Sequence, residues 1–296
     1  QVHQEEIVIR SILFIINVLS CPQYRPGGKN KNSGQETSSS SKPLPTCTEV
    51  SELLNNIMSG DAIKHLTDIT ISALLPLQPV DLHEWADDAE TFVHQEFNEE
   101  GLRIRPTAEN LLTTMMQYNK QACSSSILAF LEQTSHQTID AHTSITAMLQ
   151  RESLYNAIGL CAYDLSEDLH FGAWFNSHLL SELSATNPLQ HIIRRRVALM
   201  LGNWSDSLDE QQRDTAYKVL GTLLHDQDIA VRMSALDGML RLVDDVGFYS
   251  EKFEVYLLDT VSSIFQILEH SSQVDSKLKG LNLLTTLLNS MSGKLQ

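Results

Sequence analysis

Adjacent carboxylates stand at Asp87–Asp88, Glu99–Glu100 and Asp244–Asp245, and eleven histidines are spread over the 296 residues. Such groups do acid–base work when one is held at a shifted pKa beside a positioned substrate, and they bind metal when ligands recur at fixed short spacing. Neither pattern is present. His65, His94, His136, His142 and His225 are expected on polar helix faces or near helix ends, and HExxH and GxSxG are absent. Gly27–Gly28–Lys29 lies in a Ser/Asn-rich stretch without a flanking strand and helix, so it forms no phosphate-cradling loop. Cys21, Cys47, Cys123 and Cys161 are scattered, with no CxxC spacing. This usage fits a reducing compartment, with Cys123 and Cys161 acting as small buried hydrophobes. Asn203–Trp204–Ser205 matches a glycosylation sequon and is read as chance. The expectation is a non-enzyme with no catalytic residue, no metal ligand and no cofactor.

A different regularity is present. The runs at 192–204, 230–243 and 275–288 align Arg195, Arg232 and Lys277, and place the small residues Ala198, Ala235 and Gly280 three positions later. The period is about 40 residues, the mark of HEAT and armadillo helical repeats. The predicted fold is all-α, a right-handed α-solenoid of HEAT-type antiparallel helix pairs, about seven of them, in which each pair packs on its neighbours. The basic ladder has two readings. The cations could pair with aspartates of adjacent repeats, among Asp206, Asp226, Asp228, Asp244 and Asp245, and so fix stacking register; or they could contact a partner directly.

Bulk composition narrows the partners. With 37 acidic against 21 basic residues the formal charge is −16, which argues against direct nucleic-acid binding, because phosphate neutralisation needs clustered Lys and Arg. An acidic array suits basic protein partners, although acidity can also serve solubility alone. No apolar run reaches a membrane span, and 7–19 is interrupted by Arg10. No membrane insertion is expected. The chain starts at Gln1 without Met and stops in polar residues just after a helical run. It therefore reads as one solenoid segment, 1–296, of a longer protein. Residues 22–46, rich in Ser, Gly, Pro, Asn and Lys, read as a flexible insertion, and 189–296 carries the clearest repeats.

Helices are expected at 1–20, 49–58, 61–75, from Pro106 onward, 120–133, 139–150, 152–168, 209–225, 229–243, 253–269 and 275–291. In the helix at 253–269 the expected apolar face is Leu257, Val261, Ile264, Phe265 and Leu268. Residues 81–100 are notably acidic.

The text DLHEWADDAETFVHQEFNEEGLRIRPTAENLL at 81–112 resembles a segment of importin-β-type transport receptors (karyopherins). Trp85, Asp88, Glu90 and Phe92 fit its acidic Trp-to-Phe stretch, with Ala89 in place of the usual Pro, and Arg105, Ala108, Leu111 and Leu112 fit the helix that follows. Further on, LYNAIGLCAYDL, Trp174–Phe175, RRRVALMLGNW and LLHDQDIAVRMSALDGMLRLVDD are similar, in that order, to the importin-eleven branch of the family. The likeness covers about 80–270 and is poor over 1–50. It implies a nuclear import receptor that carries cargo, touches Phe-Gly repeat nucleoporins and releases cargo to Ran-GTP. The main Ran contact would lie outside this segment, and the receptor would move between cytoplasm and nucleus through the pore. The alternative is a HEAT scaffold that assembles complexes without Ran. On the receptor reading, Glu84, Asp87, Asp88, Glu90, Glu96, Glu99 and Glu100 are the candidate acidic surface for basic cargo; the competing reading makes them solvated helix faces and a loop.

Overall fold

The computed structural model describes residues 2–24, 45–97 and 103–291, and all regular structure among these is helical. Helix α1 (Val2–Ser20) buries Ile9, Ile12, Ile16 and Leu19, a stripe at helical spacing, and stops before Pro22. Of the predicted insertion at 22–46, residues 25–44 lie outside the described residues, and α2 (Pro45–Ile57) begins just inside its end. Helix α3 (Gly60–Ile69) runs on through a π turn, Thr70–Leu74, before Pro76 breaks the chain. Two short helices, α4 (Pro79–Asp87) and α5 (Ala89–Phe97), then precede α6 (Ile104–Tyr118).

From there the antiparallel pairs are regular. They comprise α7 (Lys120–Ser135) with α8 (Ile145–Leu160), the one-turn α9 (Ala162–Leu165), and α10 (Phe171–Trp174), which continues through a second π turn into α11 (Leu180–Leu183). Next come α12 (Gln190–Asn203), α13 (Glu210–Leu223) with α14 (Ile229–Asp244), and α15 (Ser250–His270) with α16 (Val274–Ser290). Side-chain caps fix several starts: Asn119 accepts from the Ala122 amide at 3.1 Å, Asp209 from Gln212 at 2.9 Å and Asp228 from Ala230 at 2.7 Å.

The helices form two layers. In one, α1, α6, α8, α12, α14 and α16 stack in that order; in the other, α3 packs on α7 and α13 on α15. Small residues set the closest seam. A Cβ added at Gly238 would lie 2.4 Å from the Ala198 carbonyl oxygen, so α12 and α14 approach nearer than a side chain would permit. Ala198, Ala235 and Gly280, the small residues of the sequence repeat, are all buried. The chain is an α-solenoid.

A polar node ties the first layer together. Arg105 donates to the Leu75 carbonyl at 2.8 Å and, as a fork, to Glu152 at 3.0 and 2.7 Å. Arg196 donates to the same Glu152 at 2.7 Å and to Asn156 at 2.8 Å, and Asn156 donates to Glu109 at 2.6 Å. All of these except Glu109 are buried, so α6, α8 and α12 are joined by charges that would be costly to leave unpaired.

Two expectations need correction. The helices expected at 139–150 and 152–168 are one helix, α8, followed by the short α9; residues 136–144 form turns in which Asp140 accepts from the His142 amide at 2.8 Å. The apolar pattern of 152–162 carries no breaker at its start, so helix propagates through Arg151 and Glu152 once each has found a partner. In α15, Phe265 is exposed and the buried face runs through Phe253, Thr260, Ser263, Ile264 and Ile267. The true stripe includes small polar residues that local hydrophobicity does not flag. The acidic stretch at 81–100 runs through most of α4, which begins at Pro79, and through α5.

Candidate partner-binding surface

The segment between α3 and α6 lies far in sequence from the groups it touches. Pro79 opens α4, and the Gln78 amide donates to Asp81 at 2.7 Å, so the first turn is fixed locally. One turn on, Trp85 stacks on Phe92 of α5 with ring centroids 5.1 Å apart and planes 12° from parallel. The guanidinium of Arg195, on α12, sits 5.4 Å from the Trp85 ring centroid and 5.2 Å from that of Phe92. His191, one turn earlier on α12, meets Trp85 edge-on at 5.0 Å. A buried guanidinium over aromatic faces is a favourable cation–π arrangement, stronger when desolvated, and Arg195 is only 1% exposed.

Two further helix starts are engaged. Trp85 Nε1 donates to Asp228 Oδ2 at 3.0 Å while the other oxygen of Asp228 caps α14. Glu90 accepts from the Ser272 amide at 3.0 Å, the Ser272 hydroxyl at 2.8 Å and the Gln273 amide at 3.1 Å, just ahead of α16. A carboxylate there satisfies amides that have no acceptor within the helix and complements the helix dipole. Burial pushes the Glu90 pKa up, but the hydrogen bonds from Ser276, Ser272 and Gln273 outweigh it and hold the carboxyl below its ordinary value. His94 meets the Ser276 hydroxyl at 2.8 Å, and Gln273 donates to Thr91 at 3.1 Å. Burial first, then the nearby Lys279 charge, lowers the pKa of His94.

The candidate acidic residues therefore occupy distinct positions. Glu84 takes a two-pronged ion pair from Arg103 at 2.8 and 3.0 Å. Asp87 is exposed and lies 3.3 Å from His83. Asp88 caps α5 by accepting from the Thr91 amide at 3.0 Å and the Thr91 hydroxyl at 2.7 Å, and the amide bond above all lowers its pKa. Glu90 is turned inward against α16. Of Glu96 only its place in α5 is described, and Glu99 and Glu100 lie outside the described residues.

The basic ladder is similarly differentiated. Arg195 is enclosed by the Trp85–Phe92 stack. Arg232, half-buried, donates to the Asp226 and Gln227 carbonyls at 2.8 and 3.2 Å, which close the turn before its own helix. Lys277 is half-buried on α16. Ion pairs that cross between helices include Arg194 to Asp226 at 3.1 Å, Lys279 to Asp237, and Arg213 to Asp245. Sequence reasoning did not single out Glu152, Arg196, Arg151 or Glu182. The available signal was charge inside strongly apolar helical text, which marks a charge needing a partner. Among the described residues no cluster of metal-ligating groups occurs, and no helix is long and apolar enough to cross a membrane.

An open groove of ≈ 1480 Å³ runs between the α11–α12 turn and α13, with Leu180, Leu183, Val219 and Leu223 on its walls beside Arg194 and Lys218.

Comparison with known proteins agrees with this architecture. No protein-family profile matches the chain. Importin-11 of Homo sapiens is 26% identical over 296 aligned residues, covering 96% of this chain. The importin beta-like protein kap113 of Schizosaccharomyces pombe is 26% identical over 247 residues and 80% of this chain. The chain spans 28% of the length of the first of these and 24% of the second. Among solved structures, Lph2, a bidirectional nuclear transport receptor of S. cerevisiae, superposes with a TM-score of 0.80 at 23% identity, over 95% of this chain and 27% of that one. Similarity along 80–96% of the sequence, together with the same helical path, makes this chain an α-solenoid similar to the importin-β-type nuclear transport receptors.

Proposed function

We propose that the chain is part of a nuclear import receptor and contributes to cargo binding and to Ran-GTP-regulated passage through the nuclear pore. The supporting observation is the run of relatives named as importins or importin-like proteins, aligned over 80–96% of the chain. The physical properties are compatible with this reading. A stack of helix pairs transmits small rotations along its length, so one ligand can oppose another at a distance. The net charge of −16 favours basic cargo by electrostatic steering. The apolar walls of the groove between α11 and α13 offer a place for phenylalanine side chains of Phe-Gly nucleoporins. Ran-GTP is bound mainly by parts of the receptor outside this chain, and the receptor works on both sides of the nuclear envelope.

The test is capture of Ran by the full-length protein, comparing Ran loaded with GTP and with GDP. Selective retention of the GTP form supports the receptor reading. Equal or absent retention favours a HEAT scaffold that assembles complexes without Ran.

A further inference from the structure

Two of the ladder cations differ in their surroundings. Arg195 is covered by aromatic rings, but Arg232 lines a cavity of ≈ 330 Å³ between the α13–α14 turn and the C-terminal half of α15. Its Nη1 donates to the Asp226 and Gln227 carbonyls at 2.8 and 3.2 Å, which fixes the guanidinium against its own turn. Among the described residues no carboxylate comes within ion-pair distance of it, and its Nε and Nη2 have no acceptor there. Asp226, also on the cavity wall, is engaged by Arg194 at 3.1 Å and by the Asp228 amide at 2.9 Å. Asp259 is engaged by His225 at 3.1 Å.

Further polar groups border the same cavity. Ser271, only 6% exposed, carries a hydroxyl with no hydrogen-bond partner among the described residues, and a buried polar group in that state calls for one. His270 Nδ1 meets the Gln266 carbonyl at 2.8 Å, which leaves Nε2 for another group. His225 Nε2 lies between Asp259 and the Ser263 hydroxyl at 3.2 Å, which leaves Nδ1. We infer that this cavity binds a phosphoryl group, with Arg232 supplying the charge, Ser271 a hydroxyl, and the exposed imidazoles of His225 and His270 flanking it.

Geometry selects phosphate over other anions. A guanidinium held by one nitrogen presents its remaining edge as a fork that matches two oxygens of a phosphoryl group. A carboxylate could take that fork, but its two oxygens share one plane, and groups arriving from α14, α15 and the turn before α16 would not all be served. A tetrahedral group with three terminal oxygens can meet them together. In a chain of net charge −16 general attraction for anions is absent, so binding must come from these local groups. Free phosphate and a phosphorylated side chain of a partner segment offer the same chemistry. Either ligand is opposite in charge to the basic cargo proposed above, and the inference stands or falls separately from the transport reading.

The experiment is calorimetric titration of the full chain at constant ionic strength with two probes, inorganic phosphate and a capped Gly-phosphoserine-Gly peptide. Acetate and the unphosphorylated peptide are the controls. Saturable binding of at least one phosphorylated probe, and of neither control, is expected. Binding of the peptide alone assigns the site to a phosphorylated side chain, and binding of phosphate alone assigns it to the free ion. Ser271→Ala should weaken binding about tenfold, the loss of one hydrogen bond to a charged group. This variant breaks no recorded hydrogen bond of the side chain, so its fold is preserved and it decides the matter even if changes at Arg232 disturb the turn. Arg232→Lys keeps the charge but not the fork and should also weaken binding about tenfold. Absence of saturable binding, acetate binding as tightly as phosphate, or unchanged affinity in Ser271→Ala and Arg232→Lys would each overturn the inference.

Discussion

Two polar junctions join distant parts of this solenoid, and they are built differently. The Arg105–Glu152–Arg196 node lies inside the first helix layer, with each of the three charges no more than 7% exposed. The α4–α5 seat lies across helix starts, and its members grade from the buried Arg195 and Glu90 to the exposed Ser272. The first junction shares one carboxylate between two cations within a continuous stack. The second uses a carboxylate to finish a helix and two rings to cover a cation. Both hold a buried cation, but the first satisfies it with a shared carboxylate and the second covers it with aromatic rings.

The largest effect should separate them most clearly. Glu152→Ala leaves two guanidiniums buried without their carboxylate and should cost about 3–5 kcal/mol, read as a lower denaturation midpoint and as faster hydrogen exchange across α6, α8 and α12 together. Glu90→Gln removes charge-assisted hydrogen bonds and should cost about 1.5–3 kcal/mol, with faster exchange confined to 79–97 and to the start of α16. Should exchange in α6 and α8 accelerate as well, the two junctions would be one cooperative unit and the contrast would fail. Arg232→Ala should cost about 1 kcal/mol, since it loses two contacts to carbonyls of its own turn, and limited proteolysis should then cut near 226–228 and not within the seam of α12 and α14. Unchanged cutting there would remove this residue from any structural role.

Acid gives the smallest effect and a sign that can be checked. The Glu90 pKa is depressed in the folded chain, so its contribution is complete above the ordinary carboxylate pKa and is lost as pH falls through the lower folded value. Burial raises the Asp81 pKa, so that group favours the fold more as pH falls and works in the opposite direction. Tryptophan fluorescence in the Glu90→Gln variant should therefore lack the low-pH component that wild type shows, while neither chain should change between pH 6 and 8 through Glu90.

The stack itself was legible from the residues, because turns between α12 and α16 are short and each helix keeps its period. Small residues three positions after Arg195, Arg232 and Lys277 marked the seams before any contact was known. The seat of α4–α5 was not legible. Trp85 and Phe92 stand out in the family-like stretch, but residues that bury them lie more than a hundred positions later, where no local periodicity can point. The same limit applies to Glu152, whose partners Arg105 and Arg196 are on helices read separately. In α15 the error was one of face. Thr260 and Ser263 are buried while Leu258 and Phe265 are exposed, because the neighbouring α13 and α16 decide which side is inside, whatever the hydropathy of the strip.

The π turn that ends α3 reaches further than its length. It carries one more residue per turn than an α-helix, and the Ile71 carbonyl accepts from Ser153 at 2.8 Å while Leu75 offers its carbonyl to Arg105. Deleting a single residue between 70 and 74 would restore a regular helix and swing everything after it by about 100°. The Leu75 oxygen would then face away from Arg105, and the approach to α4 would enter from another side. One surplus residue thus behaves as a spacer in an alignment gauge: it sets where the next helix pair is fastened and the direction from which the inserted segment is delivered.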